Sequence, residues 1–239
     1  MTQKHDKAKS IFKEFAFEIF AGMFAVFAVL LFWDKPVFAF LMLAVGLGMQ
    51  LFFWKEKLDA TVMIFAAIVG APAEVFCVKS GLWSYHAPGL FFGVPVWLPL
   101  VWAYLICLFH RFSLTTHEAL HRISSNPDNV GLKLLYWMLG LIIIAYYAVA
   151  VSVIAKTFAI SFTLFMIPVA ILRHSRKDIL LFITGAIFGT LGEYVCMKLG
   201  FWHYHNPHFK TIGLPMSLPM AWGLSSIIIV GIAGKCVKK

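Results

Sequence analysis

Long apolar runs separated by short polar breaks set the pattern of this chain. They predict helices near 15–33, 36–54, 59–79, 92–112, 134–155, 157–172, 178–198 and 214–234. A run of roughly 20 apolar residues is what a helix needs to cross the hydrocarbon of a bilayer. The first run follows the basic tail MTQKHDKAKS. It is too long for a signal-peptide core and lacks a small-x-small cleavage site, so it reads as an uncleaved membrane helix. The predicted fold class is all-α: a polytopic membrane protein of about eight transmembrane helices.

The polar breaks repeat. GLWSYHAPG, from Gly81, returns as GFWHYHNPH, from Gly200. At one offset of 119, Asp59, Gly70, Glu74, Cys77, Lys79, Trp83, Tyr85, His86 and Pro88 match Asp178, Gly189, Glu193, Cys196, Lys198, Trp202, Tyr204, His205 and Pro207. After one inserted residue, Gly93, Pro95, Leu98, Pro99 and Trp102 match Gly213, Pro215, Leu218, Pro219 and Trp222. The match couples a helix, a loop and the next helix in order. It divides the chain into a first four-helix repeat, 1–119, and a second, 120–239, entered through the polar connector Ser113 to Lys133. Four spans are an even number, so both units enter from one side. That is a parallel repeat about an axis along the membrane normal.

Composition agrees: 61% of the residues are hydrophobic and 13% charged, against about a quarter charged in a water-soluble domain. The net charge of +9 is explained by position. With eight spans, 15 of the 20 Lys and Arg residues fall on the side of the two termini, leaving Lys35, Lys79, Lys156, Lys198 and Lys210 opposite. Basic loops stay in the cytoplasm. The expectation is therefore a multi-pass protein of the cell membrane, of the bacterial inner-membrane kind, with both termini inside and no nucleic-acid partner. Cys77, Cys107, Cys196 and Cys236 show no CxxC spacing and read as packed thiols.

Glu74 and Glu193 carry the candidate chemistry. Asp59 and Asp178 follow basic residues at the start of their helices and read as caps that also suit the helix dipole. Glu74 lies 15 residues further on, about 22 Å at 1.5 Å per residue, and so inside the hydrocarbon. A carboxyl group there is costly and its default reading is functional. Ala66 and Gly70, like Gly185 and Gly189, share the glutamate's helix face at spacings of four. Small residues there let a neighbouring helix or a flat ligand approach. Two readings stay open: an acid fixing helix register with Lys79, Lys198 or a backbone group, or a protonated acid able to donate.

Trp83, Tyr85 and His86, with Trp202, Tyr204 and His205, fall in the loops above the acids. An interfacial aromatic belt accounts for any one of them, and less well for a fixed W-x-Y-H-x-P order written twice. Pro95, Pro99, Pro215 and Pro219 are expected to start and bend the next helices, aiming Trp102 and Trp222 at the same region. Where the first half has Ser84 and Ala87, the second has His203 and Asn206, with His208 and Lys210 beyond. The second half is the richer in proton-handling groups.

The order glutamate, G-x-W-x-Y, then G-x-P and an apolar helix resembles membrane proteins of carotenoid biosynthesis. These are the carotenoid-hydratase-type family and, more weakly, the repeated-domain lycopene cyclases. The likeness covers about 35 residues of each half. The cyclases place two acids after the proline, where this chain has Val96-Trp97 and Met216-Ser217; the hydratase-type pattern is met by Glu74, Tyr85, Gly93, Pro95 and their partners. The resemblance implies protonation of an isoprenoid double bond, then water addition, ring closure or proton loss. Glu193 or Glu74 would be the acid. Trp202, Tyr204, Trp222 and their partners Trp83, Tyr85 and Trp102 would offer π faces to a carbocation, and His205 or His86 would return the proton. His203 and Asn206 would complete the lining. The partner is then an isoprenoid or other membrane lipid arriving sideways from the bilayer, with no cofactor.

One string competes. HEALH, His117 to His121, matches H-E-x-x-H, which sets two histidines on one helical face beside a glutamate. It has no counterpart in the other half and no recognisable third ligand downstream. Leu114, Leu120 and Ile123 give it the pattern of an amphipathic segment on the membrane surface, and no metal is expected. Beside the enzyme stands a carrier or binding protein with the glutamates as proton or cation sites. A structural subunit is the third class.

Overall fold

The computed structural model describes residues 2–124, 175–205, 213–215 and 218–237. The predicted helices near 134–155 and 157–172, with Asn206, Pro207, His208 and Lys210, lie outside the described residues. The described chain is mostly helical: α1 (Thr2–Phe32), α2 (Pro36–Trp54), α3 (Lys57–Lys79), α4 (Leu98–Ser124), α5 (Arg176–Thr184), a π-helical turn (Gly185–Gly189), α6 (Thr190–Lys198) and α7 (Leu218–Val237). Among these residues six helices are long and apolar enough to cross a membrane, the stretch from Lys177 to Lys198 counting as one. Their outer faces carry Phe12, Phe52 and Phe76 at 71% exposure or more. Aromatic surface on that scale is stable against lipid and not against water, so the fold is that of an all-α membrane protein.

The helix ends follow from local chemistry. Pro36 opens α2 in its first turn, where its missing N–H costs nothing. Two matched glycines close α3 and α6. Gly81 (φ 71°) and Gly200 (φ 79°) take the left-handed conformation. Leu82 N then reaches Cys77 O and Gly81 N reaches Val78 O, while Phe201 N reaches Cys196 O and Gly200 N reaches Met197 O. This paired capping pattern wants glycine because a Cβ is strained at positive φ.

Beyond each cap the chain extends into a strand, β1 (Trp83–Tyr85) and β4 (Trp202–Tyr204). The two pair antiparallel, Trp83 against Tyr204, Ser84 against His203 and Tyr85 against Trp202. Flanking bonds extend the ribbon: His86 N donates to Phe201 O at 2.8 Å and His205 N to Leu82 O at 3.0 Å. A hairpin of β2 (Leu90–Phe91) and β3 (Val94–Pro95) follows. Phe92 and Gly93 at its tip both have positive φ, as a two-residue type I′ turn requires.

The sequence reading changes at several points here. The helix expected over 92–112 begins at Leu98, because residues 90–95 are spent on the hairpin, and Pro95 lies in a strand. It runs on to Ser124, so the first part of the expected connector, HEALH included, continues the helix. Ser113 and Thr115 are buried, with Ser113 Oγ donating to His110 O at 2.7 Å and Thr115 Oγ1 to Glu18 Oε1 at 2.6 Å. That segment packs into the bundle there.

Asp59 is no cap. Glu56 stands at the cap position, without a side-chain cap bond. Asp59 is fully buried and takes the Arg111 guanidinium of α4, Nε at 2.8 Å on Oδ1 and Nη2 on Oδ2. Asp178 is not the cap either: Ser175 stands at the cap position of α5, accepting the Asp178 N–H on Oγ at 3.1 Å and donating Oγ–H to Asp178 Oδ2 at 2.6 Å, so Asp178 supports the serine cap from the first turn.

The core lies where α3 and α4 pack on each other, α3 against α7 and α4 against α5. At its centre the rings of Trp102 and Trp222 stack, centroids 4.8 Å apart and 16° from parallel. Each ring lies on a glycine of the preceding helix: a Cβ on Gly70 would overlap Trp102, and one on Gly189 would overlap Trp222. The small-residue stripe thus seats a tryptophan.

Candidate functional site

Strand geometry explains why the aromatic cluster is spaced W-x-Y. Residues two apart on a strand share a face, so Trp83 and Tyr85 face one way and Ser84 the other. The helix cap turns that face back onto the helix just left. Trp83 Nε1 then donates to Glu74 Oε2 at 3.1 Å and Tyr85 OH to the same oxygen at 2.8 Å. Across the ribbon, Trp202 Nε1 donates to Glu193 Oε2 at 2.8 Å and Tyr204 OH joins it at 3.1 Å. Each glutamate takes two neutral donors on one oxygen, and a third indole also bears on each carboxyl group, Trp102 on Glu74 and Trp222 on Glu193. Neither is in a salt bridge with Lys79 or Lys198, whose ammonium groups instead lie over the rings of Phe92 and Tyr194. The register ion pair is therefore not formed with those lysines.

Burial, followed by the charges of Glu74 and Glu193, raises the pKa of Tyr85 well above the ordinary phenol value; Tyr204 is raised likewise by burial and then by Glu193. Both phenols stay protonated and remain donors. The rings interlock across the ribbon, Trp83 with Tyr204 at 5.4 Å and Tyr85 with Trp202 at 5.3 Å.

Glu74, Glu193, Tyr85, Trp202, Trp102 and Trp222 all line one cavity of about 590 Å³. The sequence led to the expectation of an acid over its own groove in each half; the fold brings both acids to a single chamber. Glu74 is 7% exposed and Glu193 half-buried. The π-helical turn ends four residues before Glu193, the kind of local widening that recurs at functional sites.

The histidines lie elsewhere. His86, His203 and His205 are exposed on the outward face of the ribbon. His86 Nδ1 is 2.9 Å from Gly200 O, His203 Nδ1 is 2.8 Å from His86 Nε2, and His205 Nε2 is 3.2 Å from Ser84 Oγ. With Gly200 O as acceptor, His86 carries its proton on Nδ1 and accepts from His203. Partial burial, then the neighbouring His86 and His205, lowers the pKa of His203 below the ordinary imidazole value. None of the three is bonded to a glutamate of the chamber, so the ribbon separates the aromatic donors from the imidazoles.

Among the described residues no group of three or more His, Cys, Asp or Glu side chains has the geometry to hold a metal ion. His117 and His121 stack with centroids 6.4 Å apart.

One acid escaped the sequence reading. Glu18 of α1 is 2% exposed and lines the same cavity. Position 137, at the repeat offset, is Trp137, so the repeat drew no notice to it. The signal that could have found it is a carboxylate inside the first apolar run, in FEIF.

These features define a membrane-embedded helical bundle with an apolar cavity, partly open at its side, and paired, hydrogen-bonded carboxyl groups. The chain matches no family model, no curated protein and no solved structure.

Proposed function

We propose that the chamber binds an isoprenoid or carotenoid-like chain and that Glu193, with Glu74, moves a proton to or from it, in chemistry of the hydratase, cyclase or isomerase type. The observation that carries this reading is the convergence of both carboxyl groups, each fixed by a Trp N–H and a Tyr O–H, on one apolar chamber. Two donors on Oε2 orient the carboxyl and make that oxygen the acceptor. A carboxylic acid kept neutral among apolar walls is a competent proton donor to a weak base such as an alkene. The ring of Trp202, on the chamber lining, offers a π face to positive charge, at about 0.5–2 kcal/mol; the Trp102–Trp222 pair, stacked and seated on glycines, forms the wall.

The same proposal covers the architecture. We assign eight spans in two parallel four-helix repeats, 1–119 and 120–239, in a bacterial cell membrane with both termini cytoplasmic. Lys and Arg asymmetry supports the orientation. The symmetry of the ribbon supports the repeat. Trp83 faces Tyr204 as Tyr85 faces Trp202, and the matched Trp102 and Trp222 stack on each other. A two-fold axis between Ser84 and His203 relates these pairs.

The test is exchange with solvent. Protein in detergent, with no gradient, is incubated in D2O with an isoprenoid-rich lipid extract, and products are read by mass spectrometry. The expected result is deuterium on carbon in the product. Glu193→Gln should lower the rate by about a hundredfold or more, with an unchanged elution profile. Full incorporation in both Glu193→Gln and Glu74→Gln would remove proton transfer from the proposal.

A further inference from the structure

Glu18 has no part in that reading, yet its carboxyl group sits at the far end of the same chamber. Thr115 Oγ1 donates to Oε1 at 2.6 Å, whereas Oε2 is buried with no hydrogen-bond partner among the described residues. The charged groups around it are engaged elsewhere. Glu14 accepts Trp54 Nε1 at 3.1 Å, and Arg111 is held by Asp59 and Glu56. A buried acceptor of this kind is unfavourable unless something donates to it.

The shape of the chamber points to the donor. Its lining runs along α1 from Glu18 to Leu30 and along α4 from Leu98 to Phe112, about 18 to 21 Å at 1.5 Å per residue. Along that length the cavity, about 590 Å³ in volume, is walled almost entirely by apolar side chains and suits a long hydrocarbon chain lying along α1 and α4. Glu18 marks one end, and Glu74 and Glu193 mark the other.

We infer that the chamber takes a long-chain alcohol, its hydroxyl on Glu18 Oε2 and its chain running toward Glu74 and Glu193. A hydroxyl both donates and accepts, so it pairs with Glu18 in either protonation state. An ammonium only donates and would bring an extra charge out of water; a methyl ether only accepts. The substrate class thus narrows from an isoprenoid hydrocarbon to a single-chain lipid alcohol with the unsaturated segment remote from the hydroxyl. This inference rests on the chamber being the substrate site and not on proton transfer.

Hexadecanol and its methyl ether are the probes, measured by competition against radiolabelled hexadecanol on the full-length protein in nanodiscs. The alcohol should bind about tenfold more tightly than the ether, and Glu18→Leu should bring that ratio close to one. Equal affinities in the wild type, or an unchanged ratio in Glu18→Leu, would overturn the assignment. Photolabelling needs no variant. Hexadecanol carrying a diazirine beside its hydroxyl should label peptides around Glu18 and Phe112, and labelling around Trp97 to Trp102 would reverse the orientation and sink the idea. If neither probe binds, the chamber reading fails with it. An alcohol preference that persists beside full deuterium incorporation in the Glu193→Gln and Glu74→Gln proteins would instead remove only the proton-transfer step.

Discussion

Glu74 Oε2 and Glu193 Oε2 each receive one indole and one phenol proton. Hydrogen bonds from neutral donors orient a carboxyl group without neutralising it, as a lysine would. On its opposite face the same ribbon carries the linked imidazoles. With the His86 proton on Nδ1, His203 Nδ1–H donates a hydrogen bond to His86 Nε2, and partial burial plus two neighbouring imidazoles disfavour a further charge. A lowered folded-state value means that the unfolded chain binds the proton more readily. The contribution is therefore present above the ordinary imidazole pKa and is lost as pH falls through the folded one. NMR titration of labelled histidine should place the midpoint of His203 below about 6.5. A midpoint at or above that value would show that the pair is not formed.

At the scale of elements, the first turns of α3 and α5 begin alike in sequence and end differently in energy. Asp59 is buried against Arg111, whereas the position matching Arg111 in the second half is Gly231, and Asp178 is satisfied by Ser175 at the surface. Removing one partner of a buried ion pair strands the other charge. Arg111→Ala should therefore destabilise the protein by about 3–5 kcal/mol. Asp178→Ala removes only part of a cap and should cost about 1 kcal/mol. Reversible unfolding of the two variants in mixed micelles compares them directly, and equal losses would contradict the distinction. The glycines act at this scale too, since Gly70 and Gly189 let two tryptophans reach the centre of the bundle.

For the whole molecule, the ribbon is where chain segments 119 residues apart meet. Ser84 faces His203 across it, and opposed residues of an antiparallel pair have Cα atoms about 4.5–5.5 Å apart, within disulfide range. Ser84→Cys with His203→Cys should oxidise to a cross-link in the intact protein, read as blocked thiols and an intact-mass change. Both side chains point away from the chamber, so the deuterium-exchange rate should stay within about twofold of the wild type if the carboxyl geometry is carried by the inward face alone. Failure to cross-link would refute the pairing.

Apolar run length and the doubled Glu…W-x-Y spacing were legible in the sequence, which showed Gly81 and Gly200 only as matched positions and not as helix caps. Each depends on residues within a helix or a few positions beyond it, where period and backbone sterics decide. The start of α4 at Leu98 was not legible, because the hairpin before it competes for the same apolar residues. Nor was the Asp59–Arg111 pair, 52 residues apart. Tertiary structure alone decided that two glutamates share one chamber, that the imidazoles face away from them, and that Glu18 closes the far end. Those outcomes depend on which faces of distant helices come together, and that is settled by packing in three dimensions.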